Sequence, residues 1–289
     1  MVCSIFRKNI LLILLLILGI GNLKAQESSL LWKVSGNGLE KESYLFGTIH
    51  LICKDDFLMN DRILKALGNS EKLVMELDMS DPQLQTKLQQ VSMNPGMKNI
   101  QSELNPDDAK ILDEFLTKNY GAGLAQLGIL KPFVLSTMAL MKTIPCEEIE
   151  SYEGFFTSKA SESNKPVMGL ETPEFQVGIF DHIPIEVQIG ELVKMLNEDS
   201  GKEDFNEMTE IYLAEDIWGL YEMMNSEGMI ADYRGLILDN RNKAWVSILE
   251  EEMKSQSLFV AVGGGHLGGE NGVIALLQNA GYQVDPIKK

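Results

Sequence analysis

The chain has 289 residues, with 42 acidic side chains against 25 basic ones and a formal charge of −17. That length suits one large domain or two small ones. A surface so acidic repels nucleic acid and anionic lipid, while attracting cations and basic peptides or simply maintaining solubility.

At the N-terminus, Arg7 and Lys8 precede an apolar run over residues 10–20, which leaves through Asn22 and Lys24 to Ala25. This is the pattern of an export signal, with cleavage expected after Ala25. The run is shorter than the roughly 20 apolar residues of a membrane-spanning helix, so no membrane span is expected after cleavage. Cys3 precedes the run and cannot serve as a lipoprotein cysteine. The expected mature chain, residues 26–289, is an exported, periplasmic or secreted protein carrying 22 basic residues against 42 acidic, a formal charge of −20.

Residues 29–34 and 43–49 are apolar runs separated by Ser35, Gly36, Asn37 and Gly38, which predicts a hairpin. The second run continues through Gly47 and Thr48 to His50. A helix is expected from Asn60 and Asp61. Residues 72–78 read as a strand buried on both faces and interrupted by Glu76. Helical periodicity follows from 81 to about 143. Asn105 is the expected cap there and Pro106 the first helical residue, with Asp107 and Asp108 in the first turn. Residues 124–141 read as a long apolar helix with a break at Lys131 and Pro132. Another helix is expected over 153–163. A strand over 166–171 ends on Glu171, and Thr172 and Pro173 start the next helix. Residues 184–252 read as helical and acidic. Strands are expected at 258–262 and 282–284, on either side of a helix over 272–279. Strands at both ends and a helical middle predict an α/β fold: a central mixed sheet carrying a large helical insertion.

Four expected strands end on side chains of the kind that bind ligands: His50, Glu76, Glu171 and His266. The carboxyl ends of strands line the binding crevice of an open α/β sheet, so these four can converge. His50 and His266, two of the three histidines, share the context Gly-x-x-His. Two imidazoles and two carboxylates suit Mn, Co, Zn or Fe in the divalent state, and an open coordination position would hold an activated water. Against that stand the plainer roles of hydrogen-bonded core histidines and solvated strand ends. His182 falls at a helix end, where an imidazole complements the dipole. Gly263, Gly265 and Gly268 spell a dinucleotide-type glycine motif, but the sequence ends too soon after Asp285 for the strands that such a fold requires.

Cys53 and Cys146 remain in the expected mature chain, and an oxidising compartment favours a bridge between them. Such a bridge requires the helical insertion to close back onto the edge that carries His50.

Residues 45–50, 73–78, 169–171 and 262–267, with Gly272-Val273 and Gly281-Tyr282, resemble the TraB/GumN family, which is related to the TIKI membrane-linked metalloproteases. The resemblance covers nearly all of the expected mature chain. It implies divalent-metal-dependent peptide cleavage with His50 and His266 as candidate ligands, and Glu76 and Glu171 match the family's acidic positions. Arg241, in Arg241-Asn242-Lys243-Ala244-Trp245, resembles the family's Arg-Asn-x-x-Trp helix. There an arginine either forks a substrate carboxylate or orients a metal-binding one, the plain alternative being a surface ion pair. Where many members have Gly-x-Asp, this chain has Ser151-Tyr152-Glu153.

The expectation is therefore an exported hydrolase of peptide bonds. Its metal (Mn, Co or Zn) is held by His50, His266, Glu76 and Glu171, and its catalytic residues are Glu76, His50, His266 and Arg241, with Glu76 the preferred base and Glu171 a ligand. Two rivals stand beside it: a protein that captures a peptide or small signal without cleaving it, and a non-peptide hydrolase like the erythromycin esterases. The partner is a peptide or small molecule, no nucleic acid is expected, and the oligomeric state stays open.

Overall fold

The turn between the first two strands is built as its residues require: Gly36, Asn37 and Gly38 take φ of 77°, 46° and 82°, the left-handed region open to glycine and asparagine. The computed structural model describes residues 27–198 and 201–289, so the export-signal expectation for residues 1–25 lies outside them. Strands β1 (Leu31–Ser35) and β2 (Ser43–Thr48) pair antiparallel across this turn. A two-residue strand, β3 (Ile52–Cys53), follows, and then helix α1 (Asp61–Asn69), whose Asn60 cap accepts from the Ile63 N–H. Strand β4 (Lys72–Met75) stops one residue before Glu76.

The insertion contains α2 (Leu84–Val91), α3 (Pro106–Tyr120), α4 (Leu124–Leu127) and α5 (Pro132–Thr143). Asn105 caps α3 by accepting from the Asp107 and Asp108 N–H groups, and Gly121 ends it at φ 71°. The apolar stretch after residue 124 is two helices and not one bent helix. Pro132, which lacks an N–H, sits in the first turn of α5, where none is needed. Strand β5 (Ile149–Glu150) pairs antiparallel with β3, a ribbon that the sequence did not predict. The chain continues through α6 (Tyr152–Glu162), β6 (Val167–Gly169) and α7 (Pro173–Gly178). Helices α8 (Ile185–Glu198), α9 (Gly201–Leu213), α10 (Ile217–Asn225) and α11 (Gly228–Asp232) fill the later helical stretch. A π-helical turn over Gly235–Asp239 leads directly into α12 (Asn240–Met253). Strand β7 (Leu258–Gly263), helix α13 (Val273–Asn279) and strand β8 (Gln283–Pro286) complete the described chain.

Among the described residues, six strands form one mixed sheet in the order β6-β4-β7-β2-β1-β8. The first four run parallel, with Met75 beside both Gly169 and Ala261, and Thr48 beside Gly263. Because they are parallel, their carboxyl ends share one edge. Every residue of β2 is buried, and β7 is buried until Gly263, which explains their unbroken apolar runs. The main core surrounds this sheet, and a second core joins Leu112, Leu116 and Leu135 of the insertion to Leu192 of α8. Cys53 and Cys146 form a disulfide that spans 93 residues, closing the insertion back onto the strand that follows His50. Among the described residues no helix is long and apolar enough to cross a membrane.

Candidate active site

All five residues singled out in the sequence meet at the shared carboxyl edge. Glu76 follows β4 directly, Glu171 follows β6, His266 closes the short turn after β7, and His50 lies two residues past β2. Arg241 reaches this edge from α12. A β-carbon built on Gly263 would lie 3.3 Å from Glu76 Oε1, 3.6 Å from His266 Cδ2 and 3.9 Å from His50 Nε2. Three of the side chains therefore converge on one point.

Arg241 organises the buried half. Its Nε and Nη2 donate to Glu171 Oε1 and Oε2, both at 2.8 Å, and Nη2 also donates to Glu76 Oε2 at 2.8 Å. Nη1 donates to the Ile237 carbonyl at 3.0 Å and meets His266 Nε2 at 3.1 Å. These contacts take up all five N–H donors of a guanidinium. The Trp245 ring, one helical turn on, lies against both the guanidinium (4.9 Å) and the His266 ring (4.3 Å), and its Nε1 donates to Glu171 at 2.9 Å. A surface role for Arg241 is excluded, and it has no donor left to fork a substrate carboxylate.

The tautomer of His266 follows from its neighbours. Asn242 donates its amide to the Asn271 carbonyl, so its Oδ1 faces the ring and accepts from Nδ1–H at 2.6 Å. Nε2 then carries the lone pair that accepts from Arg241. Burial, with the charges of Arg241 and His50, outweighs the pull of Glu76 and pushes the His266 pKa down to about 3, so the ring is neutral. Glu76 is buried, which favours its neutral form. The charges of His50 and Arg241 and the Gly263 N–H (3.0 Å from Oε1) oppose this and hold its pKa below the ordinary carboxylate value. Gln176, on α7, donates to the same carboxylate at 2.9 Å.

His50 is different, with 67 % of its side chain exposed. Its Nδ1 lies 2.9 Å from Glu153 Oε1 on α6, and Thr48 and Ser151 hydroxyls hold that carboxylate in place. Desolvation by the surrounding atoms is the largest influence on the ring and opposes its charge. Solvent access weakens that opposition, and the Glu153 hydrogen bond and charge, with Glu76, push the pKa up to about 9. With Nδ1 tied to Glu153, Nε2 points toward the convergence point.

A family model described as the TraB/PrgY/gumN family matches residues 30–286, nearly the whole described chain. The chain belongs to the TraB/PrgY/gumN family. No curated protein and no solved structure matches it. In this TraB/PrgY/gumN member, Glu153 stands where the sequence departs from Gly-x-Asp, and the longer acid still reaches the histidine. Sequence reasoning singled out neither Gln176 nor Asn242 and left Glu153 without a role. For Asn242 the signal was its place beside Arg241 in the Arg-Asn-x-x-Trp helix. Nothing in the sequence marked Gln176. His182, at the end of a 3₁₀ turn over Ile179–His182, is exposed.

A divalent ion bound by His50, His266, Glu76 and Glu171 would need one free lone pair from each, aimed at a common point. Both oxygens of Glu171 face Arg241, and His266 Nε2 accepts from the same guanidinium, whose charge stands among the four side chains. At the space over Gly263 the nearby donor atoms are His50 Nε2 and Glu76 Oε1, fewer than the three protein ligands of a catalytic zinc site. Among the described residues no group of three His, Cys, Asp or Glu side chains is arranged to hold a metal. As arranged, this four-residue set does not fit an ion.

Proposed function

We propose that this chain is a hydrolase of acyl bonds, peptide bonds by the family resemblance, in which His50 moves the proton of the attacking water. The observation that carries this reading is the His50–Glu153 pair. A carboxylate on Nδ1 fixes the ring and stabilises its charge, leaving Nε2 directed into the space where Glu76 and His266 also converge. Glu76, held below the ordinary carboxylate pKa with three donors on it, is a weak base. The preferred base passes from Glu76 to His50, and Glu76 becomes the fixed negative charge beside it. Arg241 and Glu171 hold Glu76 and His266 in register and touch no substrate.

The histidine arrangement also favours a second, metal-dependent reading. Both imidazoles are held at Nδ1, by Glu153 and Asn242, which is how metal-binding histidines turn Nε2 to an ion. That reading requires Arg241 to leave His266. The disulfide supports work in an oxidising compartment, periplasmic or extracellular, as the N-terminal segment implies.

The test is hydrolysis of a quenched-fluorescent peptide library and of p-nitrophenyl acetate by wild type, His50→Ala and Glu153→Gln, with and without chelator and alongside elemental analysis. His50→Ala should lose at least 10²-fold in rate, the scale of a positioned proton donor or acceptor. Turnover that survives in His50→Ala rejects the reading, and chelator-sensitive turnover with stoichiometric metal selects the second one.

A further inference from the structure

The glycines around His266 do different work, and at one of them the groups that a side chain would crowd are the reactive ones. A β-carbon on Gly265 would fall 2.4 Å from Met224 Sδ, one on Gly268 2.7 Å from Tyr221 Cβ, and one on Gly272 2.1 Å from the Gly268 carbonyl oxygen. Gly269 has φ 81°. Gly47, the glycine of the first Gly-x-x-His, is closed in by Ile217, Gly264 and Leu267 at 3.0–3.2 Å. These positions need glycine for packing or conformation.

At Gly263 the conflict is with the site itself. Its φ of −50° and ψ of 133° lie outside the left-handed region, so conformation alone does not call for glycine. It is partly exposed, whereas Gly264 and Gly265 beside it are buried. The groups that a β-carbon there would meet are the reactive ones: Glu76 Oε1, His266 Cδ2 and His50 Nε2, at 3.3, 3.6 and 3.9 Å. Alanine at this position would reduce the freedom of the unfolded chain but would press on Oε1 of the Glu76 carboxylate, which three donors hold in place. Glu76 Oε1, His266 Cδ2 and His50 Nε2 therefore border the space over the Gly263 α-carbon.

We propose that this space seats the acyl carbon that the water attacks, and that Gly263 lacks a side chain in order to admit it. The proposal rests on the hydrolase reading and adds the position of the substrate. It predicts a planar acyl group lying against the backbone at Gly263, with His50 Nε2 on its solvent side. The two glycines of the paired motifs then face different neighbours, Gly47 apolar side chains and backbone, Gly263 the reactive groups.

The test uses the whole protein and N-acetylglycinamide as the probe. The chain has three histidines, so their imidazole Cε1–H signals can be assigned with His50→Ala and His266→Ala. In wild type, the His50 signal should shift saturably with the probe. In Gly263→Ala, the apparent affinity should fall at least tenfold, while the chain still unfolds cooperatively on heating and His50 titrates as in wild type. No shift in wild type overturns the proposal without reference to any variant. Equal affinity in Gly263→Ala overturns it too, and so does a loss accompanied by an altered His50 titration, because that traces the effect to a displaced Glu76. Hydrolysis of p-nitrophenyl acetate that is unaffected by His50→Ala rejects the hydrolase reading separately, since the binding measurement needs no turnover.

Discussion

Replacing Arg241 with methionine removes the cation around which the buried half of the site is arranged. The side chains of Glu171 and Glu76 are 3 % and 10 % exposed, and the substitution takes two hydrogen bonds from the first and one from the second. Glu171 keeps only Trp245 Nε1, and Glu76 keeps the Gly263 N–H and Gln176. Breaking a buried pair by removing one partner costs about 3–5 kcal/mol, because it strands the other charge. Native stabilities run to about 5–15 kcal/mol in all, so the variant should fold with a much reduced margin. Urea unfolding followed by tryptophan fluorescence measures this, since Trp245 stacks on the guanidinium. The loss should shrink as pH falls from 7 toward 4, because a stranded carboxylate takes up a proton more readily in the folded than in the unfolded chain. Adding Glu171→Gln should recover part of it. A loss below about 1 kcal/mol, or one that does not change with pH, would refute the argument that Arg241 is the counter-ion of both acids.

The remaining predictions concern pH and covalent structure. With the His50 pKa near 9, hydrolysis should rise about tenfold per pH unit below that value and level off above it, while Glu153→Gln moves the inflection downward; a flat profile from pH 6 to 10 contradicts the assignment of His50 as base. The charged His50–Glu153 pair adds stability that is present below the ordinary 6.5 and lost as pH rises through about 9. Glu76 has the opposite sign. Its pKa falls below the ordinary 4.5, so its contribution is full above 4.5 and disappears as pH falls through the lowered value. Glu76→Gln should therefore be less stable than wild type at pH 7, with urea midpoints that converge at low pH; a constant gap refutes this. Replacing Cys53 and Cys146 by serine opens a 93-residue loop and should cost about 4–5 kcal/mol in the chain-entropy picture. Denaturant unfolding checks it, and peptide mapping without reduction would show the bridge directly.

Three of the parallel strands, β2, β4 and β7, could be read from the sequence because both faces of each are largely buried, which leaves apolar runs such as residues 258–262 with no polar alternation. The α3 start was legible because Asn105 and Pro106 are local signals that need no tertiary partner. The β3–β5 ribbon was not, because two-residue strands carry no period and are held by a disulfide and long-range pairing. Convergence of His50, Glu76, Glu171 and His266 followed from their strand-end positions, but the roles did not. Whether a carboxylate faces an ion or an arginine depends on side-chain directions that spacing along the chain does not fix. Glu171 was expected as a ligand and is an anchor for Arg241.

Strand β7 lies between β2 and β4, although both precede it by more than 180 residues. On the ribosome those two strands emerge with their facing edges unpaired and wait for more than 180 further residues before the partner that joins them arrives. The reactive residues are divided in the same way, with His50 and Glu76 made early and Arg241, Gly263 and His266 late. A chain that has not yet reached β7 therefore has no assembled centre, and whatever chemistry the protein performs is delayed by topology until that strand is made.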